Sequence, residues 1–313
     1  MGTANFKGRD IIDINDFSKE ELLFILKTAK KFDPTFVKSD RSNYTIAQGK
    51  IAAVLFFEQS TRTEQSFRSA AQKIGMGVIG FNDPESTSIH KGETFKDTIR
   101  IMDAYADCLI IRHPQAGAAK EAAEVADIPV INAGDGPNQH PTQTMLDLYT
   151  MQKEAGKLDG ITVALMGDLK YGRTVHALSV ALSHFKVSQI FISHPSLAMP
   201  QGYLDLLKKR GVNFQVLNSA PRDFEKIDFL YQTRVQKERF ADIKVYNKIK
   251  DEFILRKEFL KQLDKGVKLM HPLPRVNEMA SELDSHPNAI YFKQARNGLY
   301  IREALLSLVL GRL

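Results

Sequence analysis

Ser60-Thr61-Arg62-Thr63 closes an apolar run, "KIAAVLFF", and opens a polar stretch of helical character. The segment holds no glycine, so it is not a glycine-rich phosphate loop of the usual kind. Nearly every group in it can nevertheless bind an anion. The first N–H groups of a helix are unpaired and lie at the positive end of its dipole. Hydroxyls add donors, and a guanidinium grips phosphate through two parallel hydrogen bonds. A helix N-cap beside an exposed arginine is the competing reading, and four residues alone leave the two even.

The same residue types recur after other apolar runs. Arg112 and His113 follow "ADCLII", His140 and Gln143 sit in "NAGDGPNQHPTQ", and Arg173 lies in "GDLKYGRTVH". Arg234 and Gln236 follow "FLYQT", and "HPLPR" occupies residues 271–275. An imidazole at His140 could hydrogen-bond a carbonyl oxygen as charge develops on it, or serve only as a helix-terminal group. Arg112, ending a buried strand, needs an anionic partner, either a ligand or an internal carboxylate. Candidate nucleophiles are scarce. The chemistry implied is the gripping and polarising of a small anion.

Several classes fall away. In "VALMGDLKYGRTVHAL" the glycines are Gly167 and Gly172, with Leu169 where a dinucleotide fingerprint requires its second glycine. No nicotinamide or flavin is expected. The single cysteine, Cys108, lies in an apolar run and reads as core, which excludes an intramolecular disulfide and any multi-cysteine metal site. The eight histidines form neither H-E-x-x-H nor H-x-x-E-H, so the expectation is no metal and no cofactor. The net charge of +6 is spread along the chain, with no basic block of five and no tryptophan, so no nucleic-acid surface is expected. No apolar run approaches the ~20 residues that span a bilayer. "MGTANFKGRDIIDIND" has no apolar signal region, and cytoplasm is the expected compartment.

The elements that must position these residues are legible as short apolar runs. Strands are expected at 50–58, 77–81, 106–113, 128–133, 161–168, 189–194, 213–217, 227–233, 267–272 and 289–294. Most are continuously apolar, as strands covered on both faces are, and amphipathic stretches separate them, as in βαβ units. Ser18 and Glu21 have the spacing of a capping box, followed by Leu22, Ile25, Leu26 and Ala29 at helical intervals. A final helix carries Ile301, Ala304, Leu305, Leu308 and Val309 on one stripe. The fold class is α/β: two doubly wound parallel-sheet domains joined by helices, with the active site in the cleft between them. Ligands in such sheets bind beyond the carboxyl ends of the strands.

"FFEQSTRTEQSF", "HKGETFKDT", "RHPQAGAA", "NAGDGPNQHPTQTMLDLYT", "MGDLKYGRTVHAL", "YQTRVQKERF" and "HPLPR" stand in the order found in the carbamoyltransferases. The chain resembles that family over nearly its whole length, and most nearly the catalytic chains of the aspartate branch. The resemblance implies transfer of the carbamoyl group of carbamoyl phosphate to L-aspartate, an early step of pyrimidine synthesis. It implies a carbamoyl-phosphate-binding domain at 1–146, with the helix at about 296–313 packing back on it, and an aspartate-binding domain at 147–295. Ser60, Thr61, Arg62 and Thr63 would hold the phosphate. Arg112, His140 and Gln143 would meet the carbamoyl end, with Thr63, Leu273 and Pro274. Arg173, Arg234 and Gln236 would bind the aspartate carboxylates. Lys91 and a nearby serine would enter a neighbouring subunit's site in a homotrimer, which in this family often joins regulatory chains in a dodecamer. The family's serine stands four residues before the lysine. Here that position is Thr87, and Ser88, one residue later, is the favoured hydroxyl. An ornithine-specific enzyme would have cysteine where Pro272 stands. A non-catalytic homologue would have lost a residue of the clamp.

Overall fold

Among the described residues, the strands formed by the apolar runs pair only with parallel neighbours. The computed structural model describes residues 5–37, 45–219, 227–235, 246, 249, 253–259 and 266–313. Contacts divide the chain into two units, Met1–Leu146 with Arg296–Leu313, and Asp147–Ala295.

In the first unit, β1 (Ile51–Phe56), β2 (Gly77–Phe81), β3 (Cys108–His113) and β4 (Val130–Asp135) form a sheet of order β2-β1-β3-β4. Its helices are α1 (Lys19–Ala29), α2 (Thr61–Lys73), α3 (Phe95–Tyr105) and α4 (Ala118–Ala123). Ala52 through Phe56 and Cys108 through Ile111 are fully buried, which is why these runs show no polar alternation. The capping box of α1 forms as its sequence predicts: Ser18 Oγ accepts from Glu21 N, and Glu21 Oε2 accepts from Ser18 N. Such a cap contributes about 1 kcal/mol, and Leu22, Ile25, Leu26 and Ala29 are buried behind it. The outer edge of β4 is covered by Ile11, which accepts from Asn132 N and donates to Val130 O, so that edge is closed to other strands.

In the second unit, β5 (Thr162–Met166), β6 (Ser188–Ile192), β7 (Phe214–Leu217), β8 (Phe229–Gln232) and β9 (Lys268–Met270) take the order β7-β6-β5-β8-β9. Helices α6 (Arg173–Leu182) and α7 (Gln201–Lys209) belong to this unit. The unit boundaries fall inside α5 (Pro141–Ala155) and α8 (Tyr291–Val309).

The expected strand at 289–294 is a correction. Ala289 makes only an isolated bridge to Leu269, and the chain then enters α8 at Tyr291. The aromatic run "IYF" looks strand-like, but Ile290, Tyr291, Gln294, Asn297 and Ile301 are buried at helical intervals. Helix α8 begins ten residues before Ile301, and every residue from Tyr300 to Val309 is buried. Its last turns are therefore enclosed all round, beyond the single stripe that the sequence suggests. Among the described residues no helix is long and apolar enough to cross a membrane.

Both sheets reverse their winding once. In the first, β2 lies on one side of β1 and β3 on the other. In the second, β6 and β8 flank β5. Such switch points open a crevice at the carboxyl ends of the two diverging strands, where ligands of doubly wound sheets bind.

Candidate active site

At the first switch point, β1 leads into Glu58, Ser60 and α2, while β3 ends beside it in Arg112, with Phe56 and Arg112 in register. Ser60 occupies the N-cap position of α2, yet its side chain caps nothing. The purely structural reading of the segment thereby loses its main support. Thr63 is buried in the first turn, and Arg62 is exposed. Although Arg62 is exposed as a whole residue, partial burial of its guanidinium and then the like charge of Arg112 push its pKa below the ordinary value. Among the described residues no carboxylate pairs with Arg62. The like charges of the two guanidinium groups therefore oppose each other near a helix N-terminus, a repulsion that an anion would relieve.

Arg112 is held by its own strand neighbours. Its Nε donates to Glu58 Oε2 at 2.8 Å and its Nη1 to the Ala133 carbonyl at 3.2 Å. Those bonds use two of its five N–H donors. Gly134 makes room for it: with φ +119°, a Cβ at this position would stand 2.3 Å from Arg112 Nη1. His113 turns elsewhere, packing on Phe57 and Phe95 while Nδ1 accepts from Gln115 N. Burial lowers its pKa, so it is a neutral packing ring.

The loop from β4 to α5 is shaped by one carboxylate. Asp135, 1% exposed, accepts from Asn132 Nδ2 and Gln139 N at Oδ1, and from Asn138 Nδ2 and Gly117 N at Oδ2. This brings buried His140 to the start of α5, where its carbonyl accepts from Gln143 N and Thr144 N. Pro141 then suits the first helical position because it has no N–H to leave unpaired. His140 Nδ1 lies 3.5 Å from Thr142 Oγ1.

Between β2 and α3 two short 3-10 turns, Pro84–Ser86 and Ser88–Lys91, form a surface loop. Thr87 Oγ1 donates to the Pro84 carbonyl at 2.6 Å and accepts from Ile89 N at 3.2 Å. Its hydroxyl is consumed in holding the loop. Ser88 and Lys91 are exposed, and among the described residues Lys91 has no ion-pair partner. Glu64 of α2 ties down the loop's root through Asn82 Nδ2 at 3.1 Å.

At the second switch point, Thr233 stitches the ends of β5 and β8 together. Its N–H donates to the Met166 carbonyl, and its hydroxyl reaches the carbonyls of Met166 and Asp168. Asp168 is fully buried and accepts from Tyr171 N at 2.9 Å, shaping the turn that delivers Arg173 as the first residue of α6. Arg234 follows Thr233 directly. Both arginines are half-buried. After β9, His271 accepts from Leu273 N at Nδ1 (2.8 Å) and meets Glu278 Oε1 at Nε2 (2.8 Å). Leu273 has φ +54° and a cis bond to Pro274. Gln236 lies outside the described residues.

Residues 9–154 match the "Aspartate/ornithine carbamoyltransferase, carbamoyl-P binding domain" family, and residues 159–309 match the "Aspartate/ornithine carbamoyltransferase, Asp/Orn binding domain" family. The chain belongs to the aspartate/ornithine carbamoyltransferases. Within that family it is 50% identical to the aspartate carbamoyltransferase catalytic subunit of Thermococcus kodakarensis, over 98% of each chain. Its structure resembles the catalytic subunit of M. jannaschii aspartate transcarbamoylase, with TM-score 0.91 and 44% identity over 97% of this chain and 98% of that one. It also resembles the Trypanosoma cruzi aspartate transcarbamoylase in complex with N-(phosphonacetyl)-L-aspartic acid, with TM-score 0.90 and 38% identity over 98% of both chains.

Among the carbamoyltransferases' expected site residues, the structure brings Ser60, Thr61, Arg62, Thr63 and Arg112 to one switch point, and Arg173 and Arg234 to the ends of the two strands at the other. Sequence reasoning passed over Glu58, Asp135 and Glu278. A carboxylate at the end of an apolar strand, two residues before a hydroxyl-arginine run, is a signal for the first. Asp135, between Gly134 and Gly136, carries a weaker one. Glu278 has none, because its partner His271 is found only through the folded loop.

Proposed function

We propose that this chain transfers the carbamoyl group of carbamoyl phosphate to the amine of L-aspartate, giving N-carbamoyl-L-aspartate and phosphate for pyrimidine synthesis. The observation that carries the reading is the pair Arg62 and Arg112, two like-charged guanidiniums near one helix N-terminus, of which, among the described residues, only Arg112 meets a carboxylate, the half-exposed Glu58. Ser60, Thr61, Arg62 and Thr63 hold the phosphate. Arg112, His140, Gln143, Thr63, Leu273 and Pro274 contact the carbamoyl end. Arg173, Arg234 and Gln236 take the aspartate carboxylates.

The aspartate amine attacks the carbonyl carbon directly, so the chain needs no nucleophile of its own. Charge then develops on the carbonyl oxygen, where Arg112, His140 and Thr63 are suitable donors. The C–O bond to phosphate breaks as the amine passes a proton to the departing phosphate, whose charge Arg62 stabilises. Aligning two reactants supplies up to roughly 7–11 kcal/mol of barrier reduction, which accounts for many positioning residues and few reactive ones. The molecule acts as a cytoplasmic homotrimer in which Lys91 and Ser88 serve a neighbouring subunit. Ser88 is the loop hydroxyl because that of Thr87 is already engaged within its own turn.

Arg173 and Arg234 favour a dicarboxylate acceptor, since an arginine facing the ornithine ammonium would cost binding. The test supplies carbamoyl phosphate with aspartate or with ornithine. Carbamoyl aspartate is the expected product, and citrulline formation would overturn the assignment.

A further inference from the structure

We propose that Gln294 and Asp147 are positioning residues that set the backbone of His271–Pro274 and, through it, the affinity for carbamoyl phosphate. This inference rests on the reading that Leu273 and Pro274 contact that substrate. Four buried groups form a relay inside the second unit. His271 N donates to Gln294 Oε1 at 2.9 Å, Gln294 Nε2 donates to Asp147 Oδ1 at 2.7 Å, and Tyr231 Oη donates to Asp147 Oδ2 at 2.9 Å. Asp147 and Tyr231 are 0% exposed, Gln294 1% and His271 2%.

The direction of the relay is set by chemistry. A backbone N–H can only donate, so Gln294 turns Oε1 to His271 N and Nε2 to Asp147, which gives its amide a single orientation. A buried carboxylate is costly unless its oxygens are satisfied. Asp147 receives one donor on each oxygen, from α8 and from β8. Helix α5 thereby anchors an amide of α8 that in turn holds the first peptide of the loop.

The loop needs such an anchor. Leu273 adopts φ +54° without being glycine, a conformation that persists only where the surroundings over-determine it. His271 clamps the far side through its ring, accepting from Leu273 N and donating to Glu278. If the Gln294 acceptor is removed, the His271 N–H becomes a buried donor with no partner. The peptide then turns to find one, and the two residues that follow move with it.

The experiment measures steady-state kinetics and thermal unfolding of the full chain as Gln294→Met, Asp147→Asn and Leu273→Gly. For Gln294→Met the expected result is a KM for carbamoyl phosphate raised about tenfold or more, with kcat and the KM for aspartate changed less than about threefold. A merely structural role would lower the melting temperature and leave the KM of the surviving enzyme unchanged, which overturns the proposal. Leu273→Gly loosens the loop directly. If it raises the KM while Gln294→Met does not, the relay is refuted and the contact reading stands. If neither raises it, the contact reading fails and the proposal with it. Should Gln294→Met not fold, Asp147→Asn keeps the shape and one acceptor and is judged by the same KM. A rise of about threefold supports the relay, and no rise overturns it.

Discussion

Gly134→Ala tests whether the position of Arg112 matters for turnover, without touching Arg112. An ideal Cβ at Gly134 would lie 2.3 Å from Arg112 Nη1, 3.0 Å from Cζ and 3.3 Å from Cδ, whereas ordinary contact begins at 3.4 Å. The guanidinium must therefore retreat by about 1 Å (3.4 minus 2.3). It cannot swing aside freely, because Glu58 holds Nε and the Ala133 carbonyl holds Nη1. With Arg112 in its proposed role as a donor to the reacting carbonyl, a misplacement of about 1 Å costs on the order of 10²-fold in rate. The strained φ of +119° adds about 1–3 kcal/mol of destabilisation. The assay is kcat/KM for carbamoyl phosphate at saturating aspartate, with the melting temperature followed in parallel. The double variant Gly134→Ala/Arg112→Ala is expected to be no slower than Arg112→Ala alone, because both changes act through one side chain. Full activity of a folded Gly134→Ala enzyme, or losses that simply multiply in the double variant, would refute the reasoning.

Other expectations are open to shorter tests. Arg62→Ala should lower kcat/KM by about 10²–10³-fold with folding intact, and an unchanged rate would remove the phosphate clamp. Mixing Lys91→Ala with Arg62→Ala chains should restore activity if sites are shared between subunits, and verified mixed oligomers that stay inactive would exclude sharing. Ser88→Ala should reduce turnover more than Thr87→Val reduces it, and the reverse order would reassign the loop hydroxyl. Burial opposes ionisation of Glu278, but hydrogen bonds from His271 and backbone N–H groups outweigh it and hold its pKa below the ordinary value. The stability this supplies is present above the unfolded carboxyl pKa of about 4.3 and is lost as pH falls through the folded one. Glu278→Gln should therefore flatten the acid limb of a stability profile, and an identical limb in the variant would show that another group controls it.

The strands were legible because a parallel strand buried on both faces leaves an uninterrupted apolar run, as Ala52–Phe56 and Cys108–Ile111 do. The run at 289–294 misled for the same reason: apolarity marks burial, and Ile290 and Tyr291 are buried at a helix start. Anion-binding residue types at strand ends could also be read directly. Their grouping could not, because it depends on which strands are neighbours. Only the order β2-β1-β3-β4 brings Arg112 beside the end of β1, and only β5 next to β8 brings Arg234 near the turn that leads to Arg173. The fate of single hydroxyls was equally hidden. Ser60 has the sequence of an N-cap and does not cap, whereas Thr87 spends its hydroxyl inside a turn that its sequence does not announce.

Charge is divided by task in this molecule. The buried carboxylates Asp135, Asp168, Glu278 and Asp147 each accept hydrogen bonds from backbone or side-chain donors and so fix a loop or a helix start. Arg62 and Arg112 are treated differently. Arg62 pairs with no carboxylate among the described residues, and Arg112 shares only Glu58, whose side chain is 42% exposed. A half-exposed carboxylate is a partner that an arriving dianion can displace at modest cost, because water recovers it. A buried one would have to be abandoned uncompensated. The arrangement is therefore rigid where geometry is needed and yielding where the substrate's own charge must take over. This favours a phosphate-bearing ligand over a permanent internal salt bridge as the intended partner of Arg112.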